Sequence, residues 1–312
     1  MFLKHLINPK PSTLIFFIGF CILFACLPLL QFDVESVFMN MKINSWIILP
    51  LSIALPFFIS MGLNNMIYEK NIIRKENLLI SFIFILTSCS FTNTLQAWLG
   101  AFILLFLFNY LLDSYQKELP FSQFYNASFL LAILTFIFPN SIYLIFIIVI
   151  AGINYSNLNF RIIITIILGL ITPYLFYFIF SYISNIAFLM PQFFDFSQIK
   201  LSTVNYWHLS KKIWVATLII ILLFSFIEIF KWLYKKSIKS RRTFMTIIWF
   251  LIFSTIIALH SSWQYFYFTL IPISIIMGNY FVYTKNRKIA NILFLLLVIS
   301  SFYYKYMIAL NV

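Results

Sequence analysis

Eleven apolar runs follow one another along this chain, and sixteen of its twenty-one Lys and Arg residues fall in every second gap between them. That alternation predicts a polytopic helical membrane protein with one orientation, because basic residues stay on the cytoplasmic side of each crossing. The runs cover about 12–31, 46–63, 78–92, 95–112, 124–138, 141–154, 162–184, 212–230, 243–259, 264–282 and 289–304. With the N-terminus inside, the inner gaps hold Lys4, Lys10, Lys70, Arg74, Lys75, Lys117, Arg161, the patch at 231–242, and Lys285, Arg287 and Lys288. Only Lys42, Lys200, Lys211, Lys212 and Lys305 fall outside, and the odd number of runs places the C-terminus there too.

A mean hydropathy of +0.99, with 63% hydrophobic and 9% charged residues, excludes a soluble globular domain, whose helices would be apolar along one stripe only. The runs here are apolar all round and do not alternate with period two, which disfavours an outer-membrane barrel. Helices are the remaining way to satisfy backbone hydrogen bonds in hydrocarbon. The predicted fold class is therefore all-α, one transmembrane helical domain over 1–312. Its largest outer gap, 185–212, is rich in Phe, Tyr and Trp and is expected to lie along the membrane face. Trp46, Trp98, Trp207, Trp214 and Trp263 map near the outer boundary, as an aromatic belt would. The runs at 78–92, 124–138 and 141–154 are short for a core of about 30 Å, so they read as tight hairpins or re-entrant helices.

The net charge of +13 does not indicate nucleic acid, since most of it sits in short gaps beside run ends. Membrane lipid is the expected partner. The densest patch runs from Lys231 to Arg242, and its Lys235, Lys236, Arg241 and Arg242 are candidates for anionic head groups, topology alone being the plainer account. Cys21, Cys26 and Cys89 all lie inside runs, where they act as small hydrophobes, so neither a disulfide nor a metal site is expected and no cofactor is called for. Leu23-Phe24-Ala25-Cys26 has the outline of a lipoprotein processing box, but the apolar Leu27, Pro28, Leu29 and Leu30 that follow predict an uncleaved first span. The few glycines, no two of them four apart, argue against small-xxx-small crossings as the main packing mode.

Glu228 is the one acid well inside a run, three residues before Lys231, and reads as half of a snorkelling pair. The lack of other buried acids counts against an ion-coupled pump. The outer gaps are richer. Asp33 and Glu35 follow the first run, Asp195 and His208 lie in the long gap, and His260, Trp263 and Gln264 stand between the ninth and tenth runs. Asp33, Glu35, His208 and His260 are the candidate catalytic residues, as general bases or proton carriers, with Asp195, Trp263 and Gln264 as candidate substrate contacts. The simpler account is that outer loops are where polar residues are allowed.

Phe2 to Asn8 followed by Pro9-Lys10-Pro11, the hairpin-rich middle, and WQYFYFTLIPISIIMGNYF from Trp263 to Phe281 together resemble a family of uncharacterised flavobacterial polytopic inner-membrane proteins. That resemblance covers nearly the whole chain and implies no activity. A second, partial likeness is to membrane glycosyltransferases that use polyprenyl-phosphate sugars. Those enzymes place a catalytic acid in the first outer loop, where Asp33 and Glu35 stand. They also carry a late basic-Tyr-Phe segment before a proline, matched here by Gln264-Tyr265-Phe266 and Pro272, with Gln264 in the basic position.

Three functions are compatible with these features. One is an inner-membrane protein with an outward site for a lipid-linked or sugar substrate in cell-envelope assembly, with a polyprenyl-phosphate-linked sugar as partner. The others are a non-catalytic subunit that docks another membrane protein, and a transporter or flippase.

Overall fold

The structure, a computed structural model, describes residues 2–29, 36–38, 41–43, 45–88, 95–185, 207–260 and 263–310. Within them the regular structure is helical apart from one antiparallel pair of three-residue strands, β1 (Ser36–Phe38) and β2 (Met41–Ile43). A short α1 (Phe2–Ile7) precedes α2 (Pro11–Leu29), α3 (Ser45–Glu69), α4 (Leu79–Thr87), α5 (Leu95–Asp113) and α6 (Phe121–Ile137). A 3₁₀ turn at Pro139–Leu144 leads into α7 (Ile145–Asn154), followed by α8 (Phe160–Ile183), α9 (Leu209–Leu233) and α10 (Ile238–His260). A second 3₁₀ turn at Trp263–Phe266 opens α11 (Tyr267–Tyr283), and α12 (Arg287–Leu310) ends the chain.

Within the described residues every apolar run thus becomes helical, and the polar residues between the runs punctuate the helices. The Asn159 side chain accepts from the Ile162 N–H at 2.8 Å and starts α8. Asn71, Gln116, Ser156 and Asn185, just beyond α3, α5, α7 and α8, take positive φ, the left-handed step that a helix C-terminus uses. The Ile72 N–H then reaches the Ile67 carbonyl at 3.1 Å, and the Asn157 N–H reaches that of Gly152 at 2.9 Å.

Among the described residues five helical stretches are long and apolar enough to cross a membrane: Gln96–Asp113, Phe160–Ile183, Leu209–Lys231, Ile238–Leu259 and Arg287–Met307. This is a helical membrane protein. Pro11–Phe24, Phe121–Ile137, Pro139–Asn154 and Tyr267–Tyr283 are apolar but shorter. With nine residues, all of them buried, α4 is about 14 Å long and cannot span about 30 Å of hydrocarbon by itself.

The chain divides into two compact units: Met1–Leu99, Ser202–Lys236 and Leu270–Val312 in the first, Gly100–Leu201 and Ser237–Thr269 in the second. The first is built around α4. Its Ser81 hydroxyl donates to the Ser60 carbonyl of α3 at 2.9 Å. Gly278 of α11 lies so close that an added Cβ would meet Ile80 Cγ1 at 2.8 Å. Phe20 of α2 stacks on Phe82 at 4.3 Å, and Phe294 of α12 packs on Phe82 and Phe281 at 5.8 and 5.6 Å.

Two placements correct the sequence reading. Trp214 is no belt residue: it is fully buried, stacks on Tyr304 at 5.1 Å and donates Nε1–H to Ser301 Oγ at 3.3 Å. Lys305 lies in no outer loop either. The apolar pattern resumes after it, α12 runs on to Leu310, and the lysine is only 5% exposed. Its ammonium donates to the Phe24 carbonyl and sits 3.8 Å above the Phe24 ring.

In the second unit α6 packs along α8, where Tyr125 Oη donates to Thr172 Oγ1 at 3.1 Å and the Thr135 and Tyr174 hydroxyls pair. Phe138 meets Tyr265 and Phe268 edge-on at 5.4 and 5.6 Å. Asn154 Nδ2 of α7 donates to Thr246 Oγ1 of α10 at 3.3 Å.

Candidate functional site

One hollow among the described residues lies in the first unit, bounded by α1, the loop between α3 and α4, and the first turns of α12. Its formation starts with a short amphipathic helix. Leu3, Leu6 and Ile7 of α1 are buried while Lys4 and Asn8 stay exposed, so the helix lies with its apolar side on the unit. The Leu78 N–H donates to the Leu6 carbonyl at 2.9 Å and fastens α1 to the loop.

The loop is fixed by one asparagine. Asn77 Oδ1 accepts from the N–H groups of Leu79 and Ile80 at 3.1 and 3.3 Å, which starts α4. Its Nδ2 donates to the Lys75 carbonyl at 2.8 Å, and its own carbonyl accepts from Asn64 Nδ2 of α3 at 2.6 Å. Three residues before Asn77, the Arg74 N–H donates to Tyr283 Oη at 3.2 Å and ties the loop to the end of α11. Arg287, the first residue of α12, turns its guanidinium back onto that end: Nη1 donates to the Phe281 carbonyl at 2.9 Å and Nη2 to that of Val282 at 3.1 Å. Those carbonyls belong to the last turn of α11, where a cation caps favourably.

The hollow so framed has a volume of about 440 Å³. Lys4, Lys75 and Arg287 bring three cations to it, Asn8 and Asn291 add amides, Leu3 and Ile7 supply apolar wall, and no carboxylate is among the lining residues. A space of this size is in the range of small-molecule sites. Like charges around one hollow repel, and an anion placed among them relieves that repulsion.

Nearby in the same unit, Lys236 lies over the Tyr283 ring at 5.1 Å. Desolvation first, and then the positive charge of Arg74, hold its ammonium below the usual lysine pKa. Lys235 is exposed. In the second unit Arg242 Nη1 donates to Ser156 Oγ at 3.1 Å and Arg241 is exposed. The four proposed head-group residues are thus divided between the units, two in each.

Of the candidates read as outward, Asp33, Glu35 and Asp195 lie outside the described residues, as do 186–206 of the long aromatic gap and the side chains of His260, Trp263 and Gln264. His208 is described. It is exposed, pairs Nδ1 with Ser210 Oγ at 3.1 Å, and gives its carbonyl to the Lys212 N–H in the first turn of α9. Tyr265, next to Gln264, accepts the Asn140 N–H at 3.4 Å, a structural use of the Tyr-Phe segment. Sequence reasoning passed over the hollow, having counted Lys4, Lys75 and Arg287 as topological charges. The one available signal is that all three fall in gaps that the sequence reading assigns to the same side.

No curated protein and no solved structure matches the chain. A protein-family comparison matches residues 1–311 to the Family of unknown function (DUF6427), so the chain belongs to that family.

Proposed function

We propose that this is a multi-pass inner-membrane protein that holds an anionic, lipid-linked substrate during assembly of the cell envelope. The supporting observation is the hollow in the first unit, where three cations and an apolar wall share one cavity. A soluble metabolite does not need the wall and a plain hydrocarbon does not need the charges, whereas an amphiphile needs both. The catalytic part of the reading is a separate step at the outer face, with Asp33 or Glu35 as general base and His208 or His260 as proton carrier. It rests on the glycosyltransferase likeness, and the hollow, whose cations fall in gaps read as inner, takes no part in it.

The test is native mass spectrometry of the protein extracted from its own membrane. A retained anionic lipid adduct is expected. Adduct-free protein, under conditions where a control membrane protein keeps its lipid, would overturn the reading. The apolar side chains of α8, with Phe176, Phe178 and Phe180 more than half exposed, are suited to lipid and to a partner helix alike, so they favour no docking role.

The reading includes eleven crossings with the N-terminus inside and the C-terminus outside. Lys305 is buried and cannot report on the C-terminal side, so the reporter cysteines belong at Lys239 and Val312, in a background without Cys21, Cys26 and Cys89. An impermeant thiol reagent is expected to reach position 312 from outside and position 239 only after permeabilisation. Labelling of both from one side would remove the odd count.

A further inference from the structure

We infer that the hollow between α1, the α3–α4 loop and α12 is a phosphate site, in which Arg287 is a fixed anchor and Lys75 and Lys4 close on the phosphate from two sides. The inference rests on the lipid-binding reading above and specifies the group that is held.

The three cations differ in how they are mounted. Arg287 is pre-organised, because two of its N–H groups are already spent on the Phe281 and Val282 carbonyls and orient the guanidinium plane. Its remaining N–H groups are free for a ligand, and a planar fork suits the oxygens of a phosphate. Lys75 is held at its backbone: Asn77 grips its carbonyl, while its ammonium takes no part in that frame. Lys4 rides on α1, which the Leu78-to-Leu6 hydrogen bond fastens in place. One rigid and two adjustable donors make a site that accepts a tetrahedral anion without rebuilding the walls.

The volume decides against a bare ion as the best-fitting occupant. About 440 Å³ exceeds what one small anion fills, given that a water takes about 30 Å³. Leu3 and Ile7 make the remainder apolar, which suits the first carbons beyond a phosphodiester. Asn8 and Asn291 can hydrogen-bond the ester oxygens or a head-group hydroxyl.

The experiment uses the full chain in detergent, titrated with short-chain phosphatidylglycerol and short-chain phosphatidylcholine, with inorganic phosphate as competitor, and with the bound fraction read by native mass spectrometry. Saturable binding of phosphatidylglycerol is expected, weakened about tenfold for each cation removed, as befits loss of a charge-assisted hydrogen bond. It should also fall with added salt. Displacement by inorganic phosphate would identify a free phosphate compound as the ligand. Resistance to it, with phosphatidylglycerol binding lost in the variants, would identify a lipid head group. Both outcomes keep the phosphate site.

Because Arg287 also caps α11, Arg287→Gln is paired with Lys4→Gln/Lys75→Gln, whose ammonium groups the frame does not use, and with Arg287→Lys, which keeps the charge but loses the fork. Binding unchanged in Lys4→Gln/Lys75→Gln and in Arg287→Lys would overturn the site. If Lys235→Gln/Lys236→Gln or Arg241→Gln/Arg242→Gln removed binding in that case, the lipid-binding reading would stand with its site elsewhere. A wild-type chain that binds neither lipid nor phosphate would end both.

Discussion

Gly169→Ala should destabilise the second unit by about 1–3 kcal/mol, and Gly169→Leu should prevent it from folding. Gly169 sits where α8 crosses α6, and a Cβ built there would lie 2.0 Å from Ser128 Oγ and 2.7 Å from the Tyr125 carbonyl oxygen. The hydroxyl could swing away, but the carbonyl is backbone and α6 would have to move. Moving it would stretch the hydroxyl pairs Tyr125–Thr172 and Thr135–Tyr174 that join the same two helices. In an open helix the alanine would gain roughly 1 kcal/mol of intrinsic preference, so the close approach decides the sign.

Gly19 of α2 supplies the control, since nothing lies within 4 Å of the Cβ position there. Gly19→Ala should be neutral or slightly stabilising. Unfolding against SDS in mixed micelles, followed by far-UV circular dichroism, measures both. Equal behaviour of the two alanine variants would show that α6 and α8 do not meet at Gly169.

That crossing also marks how far the sequence could be read. Eleven helices were legible because an apolar run in hydrocarbon has no other way to pair its backbone, and each run became one. The absence of two glycines four apart argued against close crossings, yet a single glycine facing Ser128 of another helix is enough. The partner lies on α6, and no local spacing reveals it. Lys305 was misplaced for a related reason: a charge looks like the end of a run, whereas its burial depends on a carbonyl of α2.

The candidate site was less legible than the fold. Local density drew attention to the patch at 231–242, whose members fall into two units. Lys4, Lys75 and Arg287 lie in three different gaps and are brought together by Asn77, Tyr283 and the Leu78-to-Leu6 bond, none of which carries charge. A hollow made by three distant segments leaves no motif. Asp33 and Glu35 had the opposite character, being visible by position in the gap after the first run.

Lys305→Met should lower the stability of the first unit by about 1–3 kcal/mol, the usual loss when a buried acceptor is left without its donor. The reason begins in the sequence of α2. Pro28 has no N–H, so the Phe24 carbonyl four residues earlier lacks its ordinary helical donor. The Lys305 ammonium of α12 donates to that carbonyl and rests on the face of the Phe24 ring, which fastens α12 to α2 at a point where the α2 ladder is interrupted. Lys305→Glu should be worse than Lys305→Met, because it sets a negative charge against a carbonyl oxygen and the negative face of an aromatic ring. A double-mutant cycle separates this role from simple packing. Pro28→Ala restores an N–H to the helix, so Lys305→Met should cost clearly less in the Pro28→Ala background than in the wild type, with a coupling of about 1 kcal/mol. An identical cost in both backgrounds, read from the same SDS unfolding curves, would mean that the lysine does not substitute for the donor that Pro28 lacks.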